Sequence, residues 1–269
     1  MPTIAGMELT GRTVLVTGAT GGLGHAIARA LHREGAQLIL TGRRTDVLEP
    51  LAKETGGRAV ACDLSDPVAV DKLASDCGDV DVLVANAALP ASGRLEQFTP
   101  AQLDAALDVN LRAPMVLTLA LLDGWKQRGA GHAIYISSIA GKIATSGSSV
   151  YSATKFGLRG FGMGLRADLR DAGVGVSVVF PGFIRDAGMF ADSGATLPKG
   201  IGSNTPEEVG DAVVRAIRED KGEINVAPAF IRVSAKLNGL APDLVAGLSR
   251  KMGSGDIARD IAEGQRAKR

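Results

Sequence analysis

Seven short apolar runs recur along the chain, and nearly every gap between them is long enough for a helix. They are TVLVT (13–17), AQLIL (36–40), RAVAC (58–62), DVLVA (81–85), HAIYIS (132–137), GVSVVF (175–180) and EINVA (223–227). Val, Ile, Leu and Ala fill them almost continuously instead of alternating with polar residues, so both faces of each strand must be covered. Parallel neighbours need long crossovers, and strand–helix alternation supplies them. The expected fold is therefore α/β: one doubly wound sheet of about seven parallel strands flanked by helices. Two helix starts are marked by capping boxes with an early proline, Thr99-Pro100 with Gln102 and Thr205-Pro206 with Glu208.

Composition narrows the function classes. The 269 residues are 45% hydrophobic and 22% charged, which suits a globular chain with a full core. Thirty Lys and Arg against 29 Asp and Glu leave a net charge of +1, so no broad footprint for nucleic acid is expected. Cys62 and Cys77 fit neither a disulfide framework nor a zinc spacing, and the three histidines are scattered, so no metal is expected. The start MPTIAGMELTGR lacks the pattern of a secretory leader, and MVLTLALLDGW is too short to cross a bilayer. No membrane insertion and a cytoplasmic, reducing location are the expectations.

The stretch VLVTGATGGLGHAIARAL joins the first strand to the first helix. Gly18, Gly22 and Gly24, with Thr20 and Leu23 among them, fall at the turn and the helix start. Glycine there permits positive φ and close approach of backbone N–H groups to a pyrophosphate, which the helix N-terminus also attracts. A purely structural tight turn is the alternative. In the second strand, LILTGRRTDV places Gly42 where an NAD-preferring site has a carboxylate, followed by Arg43 and Arg44. Guanidinium groups meet a 2′-phosphate bidentately, so NADP(H) is favoured over NAD(H). The alternative is two solvated arginines that start a helix.

With this loop, the segments CDLSD, VANAA, DVNLRAP, ISSIAG, YSATK and FPGFIRD follow in order, and together they resemble the short-chain dehydrogenase/reductase family from about Gly11 to Ala227. The resemblance implies a Rossmann-like domain and a catalytic tetrad of Asn110, Ser138, Tyr151 and Lys155. It implies adenine contacts from Asp63 and Leu64, a supporting segment at Asn86 and Ala87, and nicotinamide contacts from Pro181, Gly182 and Ile184. Tyr151 and Lys155 would also hold the cofactor, and Asn110 would hold a water leading from the lysine to solvent. Asp186 stands where the family usually has threonine. The chemistry fits these types: Tyr151 and Lys155 are four residues apart on one helix face. An ammonium at ~4 Å in an effective dielectric of ~20 is worth about 4 kcal/mol, enough to bring a phenol from ~10 toward neutrality. Tyr151 would then give or take a proton while Ser138 polarises the substrate oxygen.

The loop 187–204, AGMFADSGATLPKGIGSN, is expected to be a mobile lid with Met189, Phe190 and Leu197 as apolar contacts. The expected substrate contacts are Ser138, Tyr151, Phe183 and Met189, with Ile139 beside them. The implied activity is hydride transfer between NADP(H) and a mostly apolar ketone or secondary alcohol. Two other readings stay open, a lyase or epimerase that uses nicotinamide internally and a non-enzymatic nucleotide-binding sensor. The expected organisation is a catalytic domain over 1–227 and a helical extension over 228–269 packed on it, broken at Pro242 and at Gly253 to Gly255. Its basic end would be solvated or self-packed before it would touch an acidic partner or membrane. Family likeness further implies a homo-oligomer, with a dimer favoured, paired through the helices that hold Asn110 and Tyr151.

Overall fold

The computed structural model describes residues 6–197, 201–241, 243, 247 and 254–266. Its strands are β1 (Thr13–Thr17), β2 (Gln37–Gly42), β3 (Arg58–Ala61), β4 (Val82–Ala85), β5 (Gly131–Ile136), β6 (Val174–Pro181) and β7 (Glu223–Val226). They form one parallel sheet in the order β3-β2-β1-β4-β5-β6-β7. All seven apolar runs are strands, and the fold is the Rossmann-like sheet expected. The winding direction reverses between β1 and β4, so their carboxyl ends open a crevice that no crossover covers.

Period-two alternation assigns each strand's residues to two helical layers. Val14 and Val16 of β1, with Val82 and Val84 of β4, face the layer of α1 (Gly22–Arg33), α2 (Thr45–Thr55) and α8 (Pro206–Arg218). Leu15 and Leu83 face α3 (Pro67–Asp76), α5 (Ala113–Arg128) and α6 (Ser149–Asp168). Val209, Val213 and Ile217 of α8 recur at helical spacing and are fully buried. The helix packs closely on α1 because Gly210 has no side chain, and a Cβ there would stand 2.8 Å from the Ala26 carbonyl oxygen. Both capping boxes form: Thr99 accepts from the Gln102 N–H, and Thr205 from the Glu208 N–H.

The helix carrying MVLTLALLDGW is longer than its apolar run suggests. α4 (Pro100–Leu107) continues through a π turn (Asp108–Arg112) into α5, giving 29 helical residues, enough by length and composition to span a bilayer. The helix is docked on the sheet: Trp125 is fully buried and donates its indole N–H to the Val80 carbonyl at 2.7 Å.

Beyond β6 comes the short helix α7 (Gly188–Ala191), and beyond β7 come α9 (Ala229–Asn238) and α10 (Ser254–Gln265). The expected break at Pro242 lies outside the described residues, as does Gly253. Gly255 is not a break, because it falls in the first turn of α10. Of the lid 187–204, residues 198–200 lie outside the described residues. Its base is closed by a parallel bridge between Ile184 and Asn204.

His132 of β5 is buried at 2% exposure and hydrogen-bonds through Nε2 to Ser177 at 2.8 Å. Burial holds it down at about 4, with Asp220 raising and Arg166 lowering it. An unfolded histidine takes a proton near ~6.5, so below that pH the unfolded chain binds a proton that the folded chain refuses. Stability is expected to fall by roughly 3 kcal/mol as pH drops from ~6.5 through about 4. Denaturant titrations across that range, compared with His132→Asn, check this; the variant should flatten the slope.

Candidate active site

The crevice begins with a knot between the ends of β1 and β4. Asn86 donates its side-chain amide to the carbonyls of Thr17 (3.0 Å) and Gly18 (3.1 Å). Thr17 accepts from the backbone N–H groups of Asn86 and Ala87, both at 3.1 Å. Gly18 sits at φ +66°, and a Cβ there would be 2.6 Å from the Ala87 Cα. Only glycine lets the two strand ends approach this closely. Gly24 serves packing, since a Cβ there would meet the Gly18 carbonyl oxygen at 2.3 Å. Thr17 was not anticipated; its only signal is a lone hydroxyl at the end of an apolar strand.

One cleft of about 470 Å³ gathers Gly18, Thr20, Gly22, Leu23 and Gly24 with Arg43, Arg44, Asp63, Leu64, Asn86 and Ala87. The guanidinium of Arg44 donates to the Thr20 carbonyl at 2.6 Å, which ties the second strand's end to the glycine loop. Thr41 Oγ1 lines the same cleft, buried and without a hydrogen-bond partner among the described residues. Burial pushes the Asp63 carboxyl up, but Ser65 hydrogen bonds and the Arg43 charge outweigh it and hold the group ionised below its usual range. Backbone donors at a helix start, two guanidinium groups and an unpaired hydroxyl fit a phosphate-bearing dinucleotide. Cys62, at the cleft wall, and Cys77 are buried free thiols.

Ser138 lies just beyond β5, Tyr151 and Lys155 on α6, and Asn110 in the π turn. Ser138, Tyr151, Lys155, Pro181, Gly182 and Ile184 share a cavity of about 90 Å³. The Ser138 hydroxyl also caps the following turn, accepting from the Ala140 N–H at 3.1 Å. Lys155 is 2% exposed; its ammonium donates to the Ile136 carbonyl at 2.9 Å and lies 5.6 Å from the Tyr151 ring centre. Burial lowers the lysine to about 8. Burial likewise pushes the Tyr151 phenol up to about 12, against a hydrogen bond with Ser138. Burial thus opposes the fall toward neutrality expected from the lysine together with an oxidised nicotinamide.

The Asn110 side chain is fully engaged by the protein. Its amide oxygen accepts from the Leu89 N–H at 2.6 Å, and its nitrogen donates to the Leu89 carbonyl (3.0 Å) and Thr154 (3.4 Å). With 1% exposure and these partners, the side chain ties the loop after β4 to α6. A π turn opens the regular helix ladder, so a water held here would be held by backbone groups.

A second cavity of about 270 Å³ opens beside Ser138 and Tyr151, lined by Ile139, Gly182, Phe183, Met189 and Phe190. The rings of Phe183 and Phe190 pack 5.1 Å apart. Leu197 is not among its lining residues. Asp186 is exposed, at φ +69°, and pairs with Arg185 at 3.5 Å, so its charge lies outside the cavities. The unanticipated wall comes from the tail: Phe230, Ile231 and Ser234 of α9, and Ala258, Ile261 and Gln265 of α10.

The short chain dehydrogenase family model matches residues 12–197. The chain belongs to the short-chain dehydrogenase/reductase family. Membership makes it an oxidoreductase of the alcohol–ketone class with a nicotinamide cofactor. The chain is 35% identical to the ketoacyl reductase HetN of Nostoc sp. over 95% of its own length and 94% of that protein. It is 32% identical to dehydrogenase/reductase SDR family member 7B of Bos taurus, covering 86% of this chain and 78% of that one. Among solved structures, a short-chain dehydrogenase from Sphingobium yanoikuyae in complex with NADPH superposes with a TM-score of 0.74 at 26% identity, covering 86% and 96% of the two chains. A metagenomic short-chain oxidoreductase in complex with NADP gives 0.67 at 33% identity, covering 82% and 98%.

Asn86→Ala would remove the amide donor to the Thr17 and Gly18 carbonyls, the latter keeping the Gly21 N–H. A loss of about 1–3 kcal/mol in unfolding free energy is expected, with weaker dinucleotide binding, read by chemical denaturation and calorimetric titration.

Proposed function

We propose that this chain is an NADPH-dependent carbonyl reductase acting on mostly apolar ketones, a reaction it can also run as an alcohol dehydrogenase. The observation that carries the reading is the position of Ser138 and Tyr151, which line both the apolar cavity and the small cavity holding Lys155. A carbonyl seated between them would meet two hydroxyls while its apolar body fills the larger space. The relatives named as reductases and the neighbours holding NADPH or NADP lend support.

The bound nicotinamide would supply the hydride. The glycine loop would hold its pyrophosphate, Arg43 and Arg44 the 2′-phosphate, Asp63 and Leu64 the adenine, with Asn86 and Ala87 beneath. Lys155 and Tyr151 would hold the ribose, and Pro181, Gly182 and Ile184 the carboxamide. Ser138 would donate to the ketone oxygen and orient it. A phenol held up to about 12 keeps its proton at physiological pH, so Tyr151 is set as an acid, which suits reduction. Lys155, charged below about 8, would steady the phenolate left after transfer. Asn110 would act by position, fixing α6 against the loop after β4.

A dimer through α5 and α6 is part of the proposal. Leu107, Leu119, Phe156 and Met163 are large apolar residues left exposed on α4, α5 and α6. Buried free thiols suit a reducing, cytoplasmic setting.

Tyr151→Phe should lower kcat for ketone reduction about a hundredfold or more, a far larger effect than the loss of one ribose contact has on NADPH binding. Turnover unchanged in that variant would remove the proposed acid. Replacing Arg43 and Arg44 together by Ala should weaken NADPH binding about tenfold to a hundredfold with little effect on NADH. Fluorescence titration of both cofactors reads this preference.

A further inference from the structure

The end of α10 is pressed onto the substrate loop. Gly264 faces Ser193 with no side chain between, since a Cβ there would stand 2.0 Å from the Ser193 carbonyl oxygen. The next residue, Gln265, is 2% exposed and donates its Nε2 to the Met189 carbonyl at 2.9 Å. A carbonyl can only accept, so this bond fixes which end of the amide is nitrogen. The other end, Oε1, is buried and has no hydrogen-bond partner among the described residues. Gln265 lines the larger apolar cavity but not the smaller one where Lys155 meets Tyr151.

We infer that Gln265 is a specificity-determining residue: its amide oxygen accepts a hydrogen bond from a hydroxyl or amide N–H that the substrate carries apart from its reacting carbonyl. This rests on reading the cavity as the substrate pocket. A buried acceptor left unpaired is costly, and a ligand that supplies the donor removes the cost on binding. The cavity that Gln265 lines is mostly apolar, with Ala258, Ile261, Phe190 and Met189 in its wall and a few hydroxyl residues such as Thr145 and Ser234, and Gln265 brings its amide to it. The substrate class is thus narrowed from apolar ketones to ketones with an apolar body and one further donor. Family motifs end before this helix, and nothing in them assigns the residue.

The test uses 2-alkanones bearing a hydroxyl at graded distances from the carbonyl, each with its methoxy counterpart, which lacks the donor. With the full chain and NADPH, one hydroxyl position should be preferred over its methoxy partner about tenfold in kcat/KM, carried by KM. Gln265→Met, similar in length but lacking both the acceptor and the donor to the Met189 carbonyl, should abolish that preference, the hydroxy compounds losing more than their methoxy partners. Equal treatment of both series by the unmodified protein would overturn the inference. So would a preference that survives Gln265→Met, or a loss shared equally by both series, which would make Gln265 only a prop for Met189. Calorimetric titration of the same pairs reads the preference without turnover. Failure to reduce any ketone would therefore sink the reductase reading alone, while equal binding of hydroxy and methoxy partners would sink the role of Gln265.

Discussion

Two strand ends held side by side govern everything else at this site. Thr17 and Asn86 exchange hydrogen bonds between β1 and β4, and Gly18 turns the chain where any side chain would strike Ala87. That junction aims the start of α1 into the crevice and sets the distance from the glycine loop to the end of β5. The fold uses a winding reversal, which leaves a gap in helical cover, and the chain closes the gap's base with side-chain-to-backbone hydrogen bonds in place of bulk.

The catalytic group shows a contest between burial and charge. At an effective dielectric of ~20, an ammonium about 4 Å away would favour a phenol's ionisation by several kcal/mol. Here the ammonium is buried and the phenol half-buried, and Lys155 gives a hydrogen bond to the Ile136 carbonyl. Desolvation raises the phenol and lowers the ammonium, which favours the pair with its protons on oxygen and, at neutral pH, nitrogen. The same low-dielectric surroundings would strengthen the attraction between the Lys155 ammonium and any negative charge developing on a reacting oxygen.

Much of this was legible because it is local. Continuous apolar runs announced the strands, and the Thr99 and Thr205 boxes announced helix starts. Ordered motifs announced the cleft and the family. Side-chain employment was less legible: Asn110 was placed in the right neighbourhood, but its amide is taken up by Leu89 and Thr154, partners 21 and 44 residues away. Thr17 looked like an ordinary strand residue. The tail was the least legible part, because Ala258, Ile261 and Gln265 matter only through contact with segments around residues 138–151 and 183–190. No periodicity within a helix says which distant loop it will meet. The long α4–α5 helix was similarly hidden, since the polar DVNLR stretch separates two apolar segments that a π turn joins.

That π turn has a consequence for how the chain can vary. Each α-helical residue advances the helix by about 100° of rotation, and the wider turn at Asp108–Arg112 keeps the azimuth of everything after it, including Trp125 on the Val80 carbonyl. A π turn holds one residue more than an α turn, so removing one residue there would let the ladder close to regular α-helix with Trp125 still on the sheet, while drawing Asn110 off Leu89. The extra residue thus brings the Asn110 amide to the loop after β4 without disturbing the hydrophobic seam behind it.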